Sequence, residues 1–271
     1  MSLGSWEYLG YSCFVSHGET PMAQEPKSQI DTFGFPPGRT LANKYQVISR
    51  LGAGWEGEVY LLRETATGID RAAKFFFPQR NKRNKTLTFY ARKLHKLREC
   101  PGLIQYHTQE TIHFGGYDIS FLVSDYVEGE ILQDFISSQP GGRLDPFQGL
   151  HLLYALTKAI EGVHRRHDYH GDLHSQNVII RRIGLSFDIK LLDFFHWGQP
   201  TQENLRDDIC DVIRIFYDAI GGKSRYSRQS TTVKEIILGL KKSLILKKFR
   251  TITALREHLE QLEWDHPSHY N

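Results

Sequence analysis

The sequence predicts an α+β fold, because a strand-rich first part of the chain is followed by a helix-rich second part. From Tyr45 to about Ser124 the pattern consists mostly of short strands with one helix. From Gln133 onward the pattern is mostly helical, and apolar residues between Phe147 and His167 lie on one helical face. A run of strands followed by a run of helices is typical of α+β domains.

Composition and charge exclude several classes of protein. The chain has 271 residues, of which 40% are hydrophobic and 24% charged, as in ordinary globular domains. No apolar run is long enough for an integral membrane segment, and a net charge of +3 does not by itself indicate a nucleic-acid partner. Three scattered cysteines, Cys13, Cys100 and Cys210, predict free thiols and a cytoplasmic location.

The chain divides into an extension and a series of regular elements. Residues 1–44 are rich in Gly, Ser, Pro and Gln, which predicts a partly flexible N-terminal extension. The alternative is an arm that packs on the following domain or on a partner through its aromatic residues Trp6, Tyr8, Tyr11 and Phe14. The later elements that we predict are strands at residues 45–51 and 58–63, helices at 86–98, 147–167 and 208–220, and two or three short helices within 233–264.

The most informative stretch is the loop formed by residues 170–177, His-Gly-Asp-Leu-His-Ser-Gln-Asn. Its aspartate is Asp172, its asparagine is Asn177, and a short apolar strand follows directly. This pattern is typical of a phosphotransferase catalytic loop. In such a loop Asp172 would orient a hydroxyl nucleophile and accept its proton, while Asn177 would hold a magnesium ion on the nucleotide phosphates.

A glycine-rich run lies far upstream of this loop. Gly52, Gly54, Gly57 and Val59 form a Gly-x-Gly-x-x-Gly-x-Val pattern. A dinucleotide-binding fingerprint would open a helix, whereas this run lies between two predicted strands. We therefore expect a hairpin that passes close over phosphates, where glycine is needed, with the valine covering one face of an adenine.

Two further charged residues suit a site of this kind. Lys74 lies in a short apolar strand, and a buried ammonium needs an anionic partner such as the α- and β-phosphates of a nucleotide. The alternative is a lysine at a sheet edge whose side chain reaches water. Asp193 ends an apolar strand and suits a second magnesium ligand, because hard cations prefer carboxylate oxygen.

These motifs, in this order, resemble the protein kinase-like superfamily from about residue 45 to about residue 264. The resemblance implies a bilobal fold, with a small antiparallel sheet and one helix in the first lobe and a larger, mainly helical second lobe. Residues 45–127 would form the N-lobe and hinge, and residues 128–271 the C-lobe with a shortened activation segment. ATP and Mg²⁺ are the implied cosubstrate and metal, with Lys74, Asp172 and Asn177 as catalytic residues and Asn177 and Asp193 as metal ligands.

The same resemblance implies a nucleotide pocket. Ser124 would be a small gatekeeper, and the backbone of residues 125–127 would hydrogen-bond adenine at the hinge. Asp208 resembles the aspartate that opens the helix anchoring the catalytic loop. The implied nucleotide-binding residues are Leu51, Gly52, Gly54, Gly57, Val59, Ala72, Lys74, Ser124, Asp125 and Val127.

The chain departs from the family pattern at the helix that follows the lysine strand. This helix normally carries a glutamate that pairs with the lysine. Here Tyr90 or Ala91 occupies that position, and neither is acidic. We hypothesise that Glu56 or Glu58, from the glycine-rich region, supplies the missing carboxylate.

Three more departures concern the catalytic loop and the segment after it. Gly171 replaces an arginine that would read a phosphorylated activation loop, and Phe195 replaces a glycine, which disfavours a flip of the Asp-Phe-Gly triplet. Few residues separate Phe195 from Asp208, and the Ala-Pro-Glu motif is missing, so the usual peptide-docking shelf is absent. His-Gly-Asp-Leu-His resembles bacterial kinases of sugars, lipopolysaccharide and antibiotics.

Three functions therefore stay open, with a Ser/Thr protein kinase-like enzyme as the first. It would move the γ-phosphoryl of Mg-ATP to a hydroxyl-bearing acceptor, either a protein or a small molecule. The second is a small-molecule or lipopolysaccharide-sugar kinase. The third is a nucleotide-binding pseudokinase scaffold, which the missing glutamate and Phe195 favour but the joint retention of Lys74, Asp172, Asn177 and Asp193 opposes. No sequence feature indicates the oligomeric state.

Overall fold

The N-terminal half of the molecule is an antiparallel sheet with one helix packed on it. The computed structural model describes residues 29–184, 186–194 and 198–262. Within these residues the sheet has six strands, β1 (Thr40–Leu41), β2 (Tyr45–Ala53), β3 (Gly57–Glu64), β4 (Asp70–Phe76), β5 (Tyr106–Phe114) and β6 (Tyr117–Asp125). They pair in the order β1-β2-β3-β4-β6-β5, and helix α1 (Lys85–Lys96) connects β4 to β5.

The second lobe of the described chain is mainly helical, with a three-stranded antiparallel sheet beside the cleft. The sheet has the order β7-β8-β9, from β7 (Glu130–Ile131), β8 (Val178–Ile183) and β9 (Ser186–Leu191). The helices are α2 (Leu132–Ser138), α3 (Pro146–Arg165), α4 (Gln202–Ala219), α5 (Gly222–Tyr226), α6 (Thr231–Ile237), α7 (Lys242–Lys248) and α8 (Ile252–Glu260). None of these described helices has the length and apolar character needed to cross a membrane. The two-lobed α+β prediction is confirmed.

Helix α3 lies at the centre of the second lobe, and its start follows from local chemistry. The Asp145 carboxylate accepts hydrogen bonds from the backbone N–H groups of Phe147 (2.9 Å) and Gln148 (3.1 Å), and Pro146 occupies the first helical position. Both features satisfy or remove donors that a helix start leaves unpaired. The predicted helix at residues 147–167 is thus confirmed to within two residues at each end.

Helix α4 begins six residues earlier than predicted. Its start at residue 208 was wrong, because Thr201 and Asn204 form a capping box that the sequence analysis overlooked. Thr201 Oγ1 accepts from the Asn204 N–H (3.2 Å), and Asn204 Oδ1 accepts from the Thr201 N–H (2.9 Å). Asp208 therefore lies inside the helix and presents its carboxylate sideways, toward the catalytic loop.

Part of the segment before residue 45 belongs to the core of the first lobe. Phe33 and Phe35 stack on each other at 5.4 Å, and Phe33 also packs on the rings of Phe75 and Phe77, at 5.8 and 5.3 Å. Residues 29–44 were assigned to the extension because they are rich in Gly and Pro, and their buried aromatic rings explain why they pack on the sheet. Trp6, Tyr8, Tyr11 and Phe14 lie outside the described residues.

Replacing Phe33 by alanine should lower the free energy of unfolding by about 3–5 kcal/mol, because a buried aromatic ring would leave a cavity. Chemical denaturation measures this loss. The matched control is Phe147→Ala, since that ring is 46% exposed against 4% for Phe33, and it should cost less than about 1 kcal/mol. Equal losses in the two variants would contradict the assignment of Phe33 to the core.

Candidate active site

The buried carboxylate of Asp208 fixes the catalytic loop. Its Oδ2 accepts from the His170 N–H at 2.8 Å and lies 3.0 Å from His164 Nε2, while its Oδ1 accepts from the Gly171 N–H at 2.9 Å. A buried carboxylate is costly unless hydrogen bonds satisfy it, and these donors do so. Gly171 has φ +84°, a conformation that favours glycine. The expected anchoring contact of Asp208 is thus present.

His170 ties the catalytic loop to the strand that leads to Asp193. Its Nε2 lies 2.8 Å from the Leu192 carbonyl oxygen, and its Nδ1 accepts from the Asp172 N–H at 3.3 Å. The buried ring of Phe194 lies 4.5 Å away, between ring centroids. Burial lowers the pKa of His170 to about 4, so the ring is neutral, donates from Nε2 and accepts at Nδ1.

Asn177 is held beside Asp172 and next to Asp193. Asn177 Nδ2 donates to the Asp172 carbonyl oxygen at 2.8 Å, and the Leu192 N–H donates to the Asn177 carbonyl oxygen at 2.8 Å. The first bond engages the amide nitrogen, which leaves Oδ1 as the amide atom that could hold a metal ion. His174 Nε2 lies 3.0 Å from Asn177 Nδ2 and 3.8 Å from Asp172 Oδ2. An amide oxygen and a carboxylate are oxygen donors of the kind that Mg²⁺ prefers.

Lys74 joins the two lobes through ion pairs. Its Nζ lies 2.7 Å from Asp193 Oδ1 and 3.0 Å from Glu56 Oε2. Burial alone would lower the pKa of Lys74, but the negative charges of Asp193 and Glu56 outweigh it and raise the pKa. The lysine is therefore charged and paired, rather than directed into water. Asp193 has φ +47°, in the left-handed region that Asp tolerates better than most residues.

The carboxylate that the helix lacks comes from the glycine-rich loop. Of the two candidates, Glu56 contacts Lys74, whereas Glu58 faces the N-terminal segment, where it accepts from Thr32 Oγ1 (2.8 Å), the Phe33 N–H (3.1 Å) and Tyr60 Oη (2.5 Å). Tyr90, one of the two residues predicted at the position of the missing glutamate, is not acidic but carries a hydroxyl. That hydroxyl donates to Glu56 Oε2 at 3.0 Å.

The predicted adenine-side residues share one face of the sheet. Val59 pairs with Lys74 across β3 and β4, and Ala72 pairs with Ser124 across β4 and β6. Because side chains alternate along a strand, Ala72 and Lys74 lie on the same face as their cross-strand partners. Ser124 Oγ donates to the Ala72 carbonyl oxygen at 3.3 Å.

The remaining predicted nucleotide-binding residues lie at the two ends of this surface. Leu51 and Gly52 are on β2, with Leu51 exposed, and Gly54 follows the strand. The Gly54 N–H donates to the Gly57 carbonyl oxygen at 2.9 Å, and a Cβ at Gly57 would lie 1.8 Å from the Phe75 carbonyl oxygen, which only glycine avoids. At the other end, Asp125 ends β6 and its N–H donates to the Gln105 carbonyl oxygen at 3.0 Å. Val127 lies just beyond the end of β6, after Tyr126.

Comparison with known proteins agrees with this arrangement. The sequence model of the protein kinase domain matches residues 45–211. The chain belongs to the protein kinase family. Protein kinases generally use ATP and Mg²⁺ to phosphorylate hydroxyl groups.

The individual relatives are mainly serine/threonine kinases. The chain is 26% identical over 246 residues to "Probable serine/threonine-protein kinase YbdM" of Bacillus subtilis, covering 84% of this chain and 90% of that protein. It is 28% identical over 162 residues to serine/threonine-protein kinase pkn2 of Myxococcus xanthus, covering 59% of this chain but only 19% of that protein. The fold is similar to the PknI kinase domain of Mycobacterium tuberculosis, with TM-score 0.56 and 21% identity over 83% of this chain and 96% of that one.

These findings confirm two predictions. The chain is a kinase-type phosphotransferase that resembles serine/threonine protein kinases, and its fold is the bilobal kinase fold. Phe195, which replaces the glycine of the Asp-Phe-Gly triplet, lies outside the described residues, so the triplet is described only as far as Phe194.

The pKa of His170 gives a pH-dependent prediction. The folded protein binds this proton near pH 4, whereas the ordinary histidine pKa is 6.5. The unfolded chain therefore binds more protons between these values. The contribution of His170 to the free energy of unfolding should be complete above about pH 6.5 and fall toward pH 4, by up to about 1.4 kcal/mol per pH unit.

Nitrogen NMR of the His170 ring measures this directly. We expect a neutral ring with the proton on Nε2 from pH 7 down to about pH 5. In the His170→Asn variant, the free energy of unfolding should depend less on pH over this interval. A titration midpoint near 6.5 for this ring would show that His170 is not sealed beneath the catalytic loop.

Proposed function

We propose that this chain transfers the γ-phosphoryl group of Mg-ATP to a serine or threonine hydroxyl of a protein. The ion pair between Lys74 of the first lobe and Asp193 of the second carries this proposal, because it brings a phosphate-binding cation beside a magnesium-binding carboxylate. The hydrogen bonds from Asn177 to Asp172 and from Leu192 to Asn177 support it further, because they connect the catalytic loop to the strand that leads to Asp193.

The nucleotide would bind between the lobes. Gly52, Gly54 and Gly57 would allow the backbone to approach the phosphates, since glycine has no Cβ. The sheet face described above, with Leu51, Val59 and Ala72, would cover the adenine, and Ser124 would lie at the back of the pocket. The Asp125 carbonyl and the Val127 N–H would then provide one acceptor and one donor for the adenine edge. Lys74 would bind the α- and β-phosphates.

The metal would be held by Asn177 Oδ1 and the Asp193 carboxylate. Bound Mg²⁺ neutralises charge on the phosphates and orients the group to be transferred. The chain's own contribution is to keep the two ligands adjacent, which the Leu192–Asn177 backbone bond does. Asp193 would then divide its carboxylate between the metal and Lys74.

Asp172 would orient the acceptor hydroxyl and accept its proton. Its backbone is fixed on both sides, by His170 Nδ1 at its N–H and by Asn177 Nδ2 at its carbonyl oxygen, while its side chain remains half exposed. Because phosphoryl transfer requires little covalent chemistry from the protein, positioning the Asp172 carboxylate would be the main contribution of the loop to catalysis.

A small-molecule acceptor is the second candidate. Helix α4 begins at Gln202, so little chain separates Asp193 from the C-lobe helices and could form a shelf for a peptide. The scaffold alternative is weaker, since Glu56 supplies the partner of Lys74 whose apparent absence favoured it.

The free thiols of Cys100 and Cys210 support a cytoplasmic location.

Asp172→Ala should reduce phosphoryl transfer by at least about 100-fold while leaving the affinity for Mg-ATP nearly unchanged, because the lost group acts on the acceptor. Label transfer from γ-labelled ATP to the protein itself, to a generic protein substrate and to a panel of sugars measures activity and identifies the acceptor class. Asp188→Ala, which removes a surface carboxylate of β9, is the control. Full activity of Asp172→Ala would refute the catalytic assignment.

Asp193→Ala should abolish the magnesium-dependent part of ATP binding, because it removes one of the two metal ligands. Calorimetric titration with ATP, in excess Mg²⁺ and in EDTA, separates that part from nucleotide binding as such. We expect the wild type to bind ATP more tightly with Mg²⁺ and the variant to bind equally in both conditions. A magnesium effect that persists in the variant would place the metal elsewhere.

A further inference from the structure

The glycine-rich loop of this chain carries an acidic side chain that is turned inward. Glu56 lies between Gly54 and Gly57, yet its side chain is largely buried, at 12% exposure. Its Oε2 receives two contacts, from Lys74 Nζ and from the Tyr90 hydroxyl, each at 3.0 Å. Both donors share one carboxylate oxygen, so the ion pair and the hydrogen bond hold the side chain in one orientation.

The backbone holds this carboxylate in place. The Phe77 N–H, just beyond β4, donates to the Glu56 carbonyl oxygen at 2.9 Å. The guanidinium of Arg80 lies 4.1 Å from the ring centroid of the neighbouring Trp55, in a cation–π contact. The loop therefore rests on the chain that follows β4, and these contacts fix the backbone from which the Glu56 side chain reaches Lys74.

Helix α1 contributes through Tyr90 instead of through an acid. Tyr90 is buried, its ring packs on Phe76, and Lys74 Nζ lies 4.5 Å from its ring centroid. Burial, above all, raises the pKa of Tyr90, so its hydroxyl stays protonated and donates to Glu56. The helix thus positions the carboxylate, and the carboxylate positions the lysine.

We propose that Glu56 is the positioning residue for Lys74, so that closing the glycine-rich loop and orienting the phosphate-binding lysine are one event. This inference rests on the proposed function, in which Lys74 binds the α- and β-phosphates. It follows that α1 needs no inward movement to complete the site, because its tyrosine is already in place. When Asp193 serves the metal, Glu56 remains as the acidic partner of the lysine.

The test compares three variants with the wild type. Glu56→Gln should lower kcat/KM for ATP by about 10- to 100-fold, the size expected for a lost hydrogen bond to a charged group. Tyr90→Phe should cause a smaller loss, of about 3- to 10-fold, because the carboxylate remains. The control is Glu110→Gln, which removes a carboxylate of the same lobe that pairs with Lys44 at the surface, and it should have no effect.

A relocation variant separates positioning from folding. In Glu56→Gln/Tyr90→Glu, the new carboxylate would lie near the present centre of the tyrosine ring, about 4.5 Å from Lys74 Nζ and within reach after a small shift. We expect this double variant to recover at least about 3-fold of the activity lost in Glu56→Gln, when activity is measured below its unfolding midpoint, which should fall because the buried Tyr90 ring is lost. A merely structural role of Glu56 would not be rescued by an acid on the helix.

The outcomes distinguish this inference from the proposed function. Wild-type phosphoryl transfer together with unchanged kcat/KM in Glu56→Gln would overturn the inference and leave the function standing. A wild type that binds Mg-ATP but transfers no phosphate would overturn the function, and the inference would then be decided by the dissociation constants of the same variants. A loss in Glu56→Gln that the relocated carboxylate does not restore would also overturn it.

Discussion

The buried carboxylate of Asp208 is the constraint on which the rest of the site depends. It binds two consecutive backbone N–H groups of the catalytic loop and a histidine of α3, so loop, central helix and α4 share one charged centre. His170 in turn contacts the chain just before Asp193, through its Nε2 and the Leu192 carbonyl oxygen. A single satisfied charge in a low-dielectric interior thus sets the relative positions of Asp172 and Asp193.

Lys74 has a corresponding role between the lobes. Its ammonium group is shared by Glu56 of the first lobe and Asp193 of the second, so neither carboxylate can be neutralised without affecting the other. Removing one partner of such an ion pair is destabilising, because the remaining charge is left uncompensated. Charge pairing therefore links the two lobes at the cleft.

Sequence alone predicted motifs whose residues are contiguous in the chain, but it did not reveal every contact between residues that are distant in sequence. The loop at residues 170–177 and the glycine-rich run could be recognised because each places its chemistry within a few consecutive residues. The Tyr90–Glu56 contact joins a helix to a loop, and no local pattern announces it. The predicted start of α4 was wrong for a different reason. The capping signal at Thr201 was present in the sequence, but the start was assigned to Asp208, further along the chain.

The aromatic residues before residue 45 have a consequence for what counts as the folding unit. The kinase match begins at Tyr45, but Phe33 and Phe35 fill the outer side of the sheet, and the Phe33 N–H satisfies the buried carboxylate of Glu58. A chain that begins at Tyr45 would expose the apolar outer side of the sheet and leave the Glu58 carboxylate with fewer hydrogen-bond donors. The core of the first lobe therefore begins before the residues that the family model matches, and its boundary is set by burial rather than by resemblance.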